Sequence, residues 1–268
     1  VTDQPSQVDT HDPASTLWHF ANAAELNDSR FPQHTAPRPD SSHPAIAVNM
    51  DACIQCSLCV RACREVQVND VIGLAGRGPN AHIVFDLGDD MGASTCVGCG
   101  ECVQACPTGA LMPKASLDEN GVFANKPDRQ VDSLCPYCGV GCQLTFNIQD
   151  DKILFVDGRP GPANRGRLCV KGRYGFDYIH NKDRLTTPMI RKSDCPKTRE
   201  ISANPLENFR SASWAEALEF AASGLIKVRE NDGGNALAGF GSAKGSNEEA
   251  YLVQKLVRTG FGTNNVDH

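Results

Sequence analysis

The sequence predicts an α+β protein assembled from small units, with two cysteine-rich segments first and the start of an α/β layer domain at the end. Three observations predict it. Twelve of the thirteen cysteines fall into three groups of four. Short apolar runs flank those groups, as the strands of small half-buried sheets do. Beyond residue 210 the pattern changes to two helical repeats, each opened by a capping box, with an apolar run between them.

Residues 1–45 are rich in Pro, His, Asp and Ser and lack sustained periodicity, so they read as a linker, with one short helix around Leu17 to Leu26. His11, His19, His34 and His43 lie there and read as solvated linker residues rather than metal ligands. The first folded unit spans 46–125. Its apolar flanks, Ile46 and Val48 before the cysteines and Ala110 and Leu111 after them, suit short strands. Between the cysteine runs, Val71-Ile72-Gly73-Leu74 and His82-Ile83-Val84-Phe85 predict an inserted hairpin with Gly-Pro punctuation. Residues 113–130 are polar, hold two prolines and read as a domain boundary.

The first run is Cys53, Cys56, Cys59 and Cys63, the second Cys96, Cys99, Cys102 and Cys106, and both read C-x2-C-x2-C-x3-C. One tight loop of that spacing supplies three soft thiolates to a [4Fe–4S] cube, and the fourth arrives from elsewhere. Zinc modules also pair C-x2-C elements but seldom repeat three cysteines at successive x2 spacing. The repeat resembles two-cluster ferredoxins, in which each run gives its last cysteine to the other cluster. That resemblance implies one cube on Cys53, Cys56, Cys59 and Cys106 and another on Cys63, Cys96, Cys99 and Cys102. Pro107 follows Cys106 as in that pattern, whereas Arg64 stands where the first run would carry proline.

A second, β-rich unit over 131–190 holds the third group. After Cys142, Leu144, Phe146 and Ile148 alternate with polar residues, Asp150-Asp151 turns the chain, and Ile153 to Val156 return. The last unit, 191–268, reads as the truncated start of an α/β domain. Ser213-x-x-Glu216 opens a helix whose Trp214, Ala217, Leu218, Ala221, Leu225 and Val228 share one face. The strand-like Ala236 to Phe240 follows, and Ser246-x-x-Glu249 opens a second helix. The glycines from Gly239 to Gly245 join strand to helix, where backbone N–H groups could bind an anion, although a tight turn explains them equally well. Their spacing is not the dinucleotide fingerprint, and Cys195 reads as an incidental exposed thiol.

The third group reads Cys135-Pro136-Tyr137-Cys138-Gly139-Val140-Gly141-Cys142 and closes at Cys169-Val170-Lys171-Gly172-Arg173. Together with Asn247-Glu248-Glu249-Ala250-Tyr251 and Gly262-Thr263-Asn264-Asn265-Val266-Asp267, it resembles the molybdopterin-dependent oxidoreductases. Within them it is most similar to the catalytic α subunit of formate dehydrogenases of the NAD-linked, cytosolic type, over residues 45 to the end. The resemblance implies a third [4Fe–4S] cluster on Cys135, Cys138, Cys142 and Cys169. It also implies a bis-molybdopterin guanine dinucleotide with molybdenum or tungsten, held mostly by domains downstream. Lys171 would then lie between cluster and pterin, as cofactor-binding residue and electron relay.

The family's metal-ligating cysteine or selenocysteine lies a few residues past the Asn-Asn-Val-Asp motif, so no catalytic residue is expected in this segment. Val1 and His268 are expected to be cuts in a longer polypeptide. The implied partners are diaphorase-type subunits with FMN and iron–sulfur clusters, with formate as substrate of the full-length enzyme. Alternatives are another molybdopterin enzyme, such as assimilatory nitrate reductase, the large iron–sulfur subunit of an NADH:quinone oxidoreductase, or a free-standing polyferredoxin. The net charge of −6 without a basic stripe argues against nucleic acid. No apolar run approaches membrane-spanning length and no secretory signal opens the chain, so a soluble, cytoplasmic protein with reduced thiolates is expected.

Overall fold

The computed structural model describes residues 15–26, 37–119, 121, 123–195, 197 and 204–268. Its contacts divide the chain into two units, one of Val1–Pro136 with Val140–Asp177 and one of Tyr137–Gly139 with Tyr178–His268.

In the first unit, helix α1 (Thr16–Ala23) is tied to the cysteine region through the Leu17 N–H, which donates to Pro107 O at 3.1 Å. Strand β1 (Ile46–Val48) pairs antiparallel with β4 (Leu111–Pro113), so the entry and exit of the double-cysteine segment lie side by side. Helix α2 (Leu58–Arg61) runs on into a wider π turn over Ala62–Val66. The inserted hairpin forms as β2 (Ile72–Ala75) against β3 (His82–Phe85), turning through a 3₁₀ segment at Gly78–Asn80. Helix α3 (Glu101–Ala105) follows the second cysteine loop. Ile46, Val48, Val60, Val71, Ile72, Ile83, Phe85, Met91 and Leu111 form one buried core, against which the cysteine loops pack.

Residues 37–45, expected in the linker, are pinned to this core. Asp40 bridges Val48, and Lys114 donates its backbone N–H to Ala45 O and its ammonium to Ser41 O and His43 O. Of the linker histidines, His43 is buried, with Nδ1 accepting the N–H groups of Ala45 and Ile46, both at 3.1 Å. Burial holds its pKa below the usual value, with Lys114 adding to the effect. His19 is exposed on α1, while His11 and His34 lie outside the described residues.

The third-group sheet has three antiparallel strands, β5 (Arg129–Leu134), β6 (Gln143–Gln149) and β7 (Lys152–Gly158). The β6–β7 hairpin is the expected one, and Asp150 and Asp151 turn it with φ of 49° and 60°. β5 occupies residues read as the end of the boundary and the start of the next unit, because its solvent-facing side carries polar residues. Helix α4 (Val170–Tyr174) begins directly after Cys169.

In the second unit, β8 (Met189–Arg191) pairs antiparallel with β9 (Phe209–Ser211). Helix α5 (Trp214–Asp232) and helix α6 (Asn247–Lys255) start at Ser213 and Ser246, whose hydroxyls cap Glu216 N and Glu249 N. Between them β10 (Gly239–Phe240) pairs parallel with β11 (Val266–Asp267), the minimal α/β arrangement. The expected strand from Ala236 shrinks to two residues because the N–H groups of Ala236 and Leu237 are spent in a 3₁₀ turn on Gly233 O and Gly234 O. The apolar face expected of α5 is bare, with Trp214 69% and Leu218 62% exposed. No helix among the described residues is long and apolar enough to cross a membrane.

Candidate metal centre

The two cysteine runs fold into loops of the same backbone shape. Gln55 and Ser57 in the first have φ of 54° and 61°, and Gly98 and Gly100 at the matching places in the second have 66° and 73°. Left-handed residues at those two positions turn backbone N–H groups inward: Gln55 N donates to Cys53 Sγ and Gly98 N to Cys96 Sγ, both at 3.4 Å. Val71 N donates to Cys63 Sγ at 3.3 Å, and Cys106 Sγ stands 3.6 Å from Thr108 Oγ1. Donors aimed at sulfur stabilise thiolate.

The loops also sort the sulfurs into sets. Cys53 interacts electrostatically with Cys106 and Cys56, and Cys59 with Cys106, Cys53 and Cys56. These four line one cavity, closed by Met50, Ile83, Pro107 and Leu111. Cys96 instead faces Cys63, Cys99 faces Cys96 and Cys63, and Cys102 faces Cys99, Cys96, Cys59 and Cys63. Each run therefore sends its last cysteine toward the other run's loop. Burial is the main cause that pushes the thiols of Cys53, Cys59, Cys96, Cys99 and Cys102 up, and neighbouring sulfurs add to it; Cys59 is pushed up to about 12. Iron supplies the positive charge that would let such thiols lose their protons.

Two observations test whether a cluster fits. Cys53, Cys56, Cys59 and Cys106 converge on one cavity, the four-thiol lining a cube requires. The buried Tyr174 hydroxyl, beside Cys96, Cys99 and Cys102, has no hydrogen-bond partner in the protein, and a cube's sulfur would supply its acceptor. The cysteine-lined space fits the group. None of the thirteen cysteines forms a disulfide, and Cys195 is half-buried rather than exposed.

In the third group, Cys135 N donates to Cys142 O at 2.9 Å, closing the loop between β5 and β6. Cys135 and Cys142 pack against buried Leu144, Val156 and Leu168. Cys169 is the residue before α4, and a Cβ added at Gly172, one turn on, would lie 3.5 Å from Cys135 Sγ. Cys138 is exposed and falls in the other unit. Lys171 is exposed on α4.

A buried polar joint that spacing alone could not reveal connects the second loop to α4. Arg173 is 2% exposed; its Nε donates to Cys99 O at 2.6 Å, Nη1 to Val156 O, and Nη2 to Glu101 Oε1 at 2.7 Å and Gln104 Oε1. Glu101 also accepts from Leu168 N, and Gln104 exchanges two hydrogen bonds with the backbone of Gly158. The one sequence signal was Glu101 itself, a charge set inside a tight cysteine loop.

In the second unit a cleft of about 680 Å³ is lined by Phe240 to Ala243, Gly245 to Asn247, Glu249 and the β11 end. The Glu249 carboxylate accepts from Ser246 N at 2.6 Å, so a negative charge already occupies the α6 N-terminus. That disfavours the anion-binding reading of the glycine loop.

Three family descriptions match the chain in succession. Residues 52–110 match the 4Fe-4S dicluster domain, 128–181 the molybdopterin oxidoreductase Fe4S4 domain, and 184–268 the molybdopterin oxidoreductase domain. The chain belongs to the molybdopterin oxidoreductases. Among curated relatives, YjgC of Bacillus subtilis, provisionally named an oxidoreductase, is 32% identical across 91% of this chain and 27% of its own length. A Staphylococcus haemolyticus protein provisionally named a formate dehydrogenase is 29% identical over 91% of this chain and 27% of its own. A Staphylococcus aureus (strain USA300) protein with the same provisional name is 30% identical over 84% and 25%. This molybdopterin oxidoreductase chain thus spans about a quarter of the length of those relatives. A chain of an NAD⁺-reducing [NiFe]-hydrogenase is 26% identical, with a TM-score of 0.35 over 40% of this chain and 50% of its own.

Proposed function

We propose that this chain is the electron-transfer segment of a formate dehydrogenase α subunit, and that three [4Fe–4S] clusters carry electrons through it towards NAD by way of a diaphorase-type partner. The observation that carries the reading is the dicluster, Fe4S4 and molybdopterin domain order, set beside relatives provisionally named formate dehydrogenase. The crossed sulfur sets support one cube on Cys53, Cys56, Cys59 and Cys106 and a second on Cys63, Cys96, Cys99 and Cys102. Cys135, Cys138, Cys142 and Cys169 would hold the third.

When bound, the bis-molybdopterin guanine dinucleotide with molybdenum or tungsten supplies the two-electron chemistry of formate oxidation, and the cubes supply one-electron steps. The chain's own residues do the rest. The backbone N–H groups of Gln55, Gly98 and Val71 hold negative charge at cysteine sulfur. The apolar core packs against Cys53, Cys59, Cys96 and Cys106 and holds their loops in place. Lys171, two residues past Cys169 and exposed on α4, would present a compact positive charge and three donors to a pterin bound there. Lys171→Ala should keep the full iron complement and slow electron transfer in stopped-flow reduction; an unchanged rate removes the relay role.

The test of the whole reading is anaerobic purification from cells making the complete gene product, with iron, molybdenum and tungsten measured beside formate-dependent dye reduction. Molybdenum or tungsten with activity is the expected result. Iron alone with no formate-dependent reduction would make the protein a polyferredoxin.

A further inference from the structure

Tyr174 ends α4, the helix that follows the third cysteine group, yet its ring packs on the core of the ferredoxin-like segment. Its hydroxyl is fully buried and has no partner in the protein. Around it stand Arg173 and the sulfurs of Cys102, Cys99 and Cys96. The space is reserved for it: a Cβ at Gly100, in the middle of the second loop, would fall 2.5 Å from the Tyr174 oxygen. A buried hydroxyl left without a partner is costly, so a neighbouring acceptor is expected.

We infer that the Tyr174 hydroxyl donates a hydrogen bond to a sulfur of the cluster on Cys63, Cys96, Cys99 and Cys102, and thereby raises that cluster's reduction potential. This rests on the proposal that those cysteines hold a cube. Reduction adds one electron to the cube and makes its sulfurs stronger acceptors, so a fixed donor stabilises the reduced form more than the oxidised one. The residue is therefore a tuning donor for the second site, carried by the helix that follows Cys169.

The experiment is an EPR-monitored redox titration of the full-length holoenzyme and its Tyr174→Phe variant, which removes only the hydroxyl. The second cluster's signal is identified as the one altered by Cys99→Ser. Tyr174→Phe should retain iron and lower the reduced-to-oxidised ratio of that cluster alone by about tenfold at fixed potential, about 59 mV for a one-electron couple. In D₂O, pulsed ENDOR of the reduced wild-type cluster should show an exchangeable deuteron that the variant lacks. Full iron with unchanged potential and coupling overturns the inference. If Tyr174→Phe fails to fold, a wild-type cluster without that deuteron overturns it as well. A wild-type protein with no signal assignable to Cys99 would instead sink the cube assignment beneath it.

Discussion

At Gly100 the backbone has φ +73°, and an added Cβ would lie 2.0 Å from Arg173 Cδ as well as 2.5 Å from the Tyr174 hydroxyl. Gly78 has φ +59° with nothing within 4 Å of its Cβ position. Gly78→Ala should therefore cost only the left-handed backbone penalty, about 1–2 kcal/mol. Gly100→Ala should cost about 1–3 kcal/mol more through overpacking, and lose iron from the second site, as thermal unfolding and iron per chain would report. Asp40 gives the pH-dependent case. Burial raises its pKa, but hydrogen bonds from the Ser42 side chain, Ser42 N and Met91 N outweigh this and hold the carboxyl below its ordinary value. A lowered folded pKa means stability present above the unfolded value, near 4, and lost as pH falls through the folded one. Asp40→Asn should flatten the acid limb of an unfolding-versus-pH curve and cost about 1 kcal/mol at neutral pH. At this scale the cysteines were legible because their spacing is local. Arg173, Glu101 and Tyr174 were not, because their partners lie some seventy residues away in sequence.

The helices of the second unit show what local signals can carry. Ser246 and Glu249 exchange both bonds of the capping box, and α6 begins where the motif places it. Ser246→Ala should weaken α6 by about 1 kcal/mol, read as faster amide exchange over Asn247–Lys255 with α5 unchanged. The α5 start was equally legible, and its apolar periodicity correctly marked a helix while leaving open what, if anything, the face packs against. Strands were harder. β5 escaped notice because its residues are mostly exposed and mostly polar, so alternation never developed. β10 was overdrawn because turn hydrogen bonds took the N–H groups that a longer ladder needs.

For the molecule as a whole, the order of the cysteine units was readable in the spacing of the cysteines. The reading put a boundary between 125 and 131, and across it the ferredoxin-like segment and the third-group sheet pack into one compact unit. The cause is the buried ion pair, with side chains 3% and 9% exposed, and the Gln104–Gly158 exchange. The dependence on metal follows the same division. Anaerobic chelation should strip amide protection from the cysteine loops and the β1–β4 pair while α5 and α6 keep theirs, as hydrogen exchange with mass spectrometry would show. Uniform loss across both units would contradict this.

The Arg173 joint also bears on how such a protein could be taken apart or recombined. Two-cluster segments look like cassettes, ready to be lifted from one electron-transfer chain and set into another. Cut out at residue 126, this one would leave Glu101 without its guanidinium and Arg173 stranded on the remaining piece, each losing its buried partner at a cost of several kcal/mol unless water replaced it. Gene fusion or swapping at that linker should therefore carry Arg173 along with Glu101, or replace both.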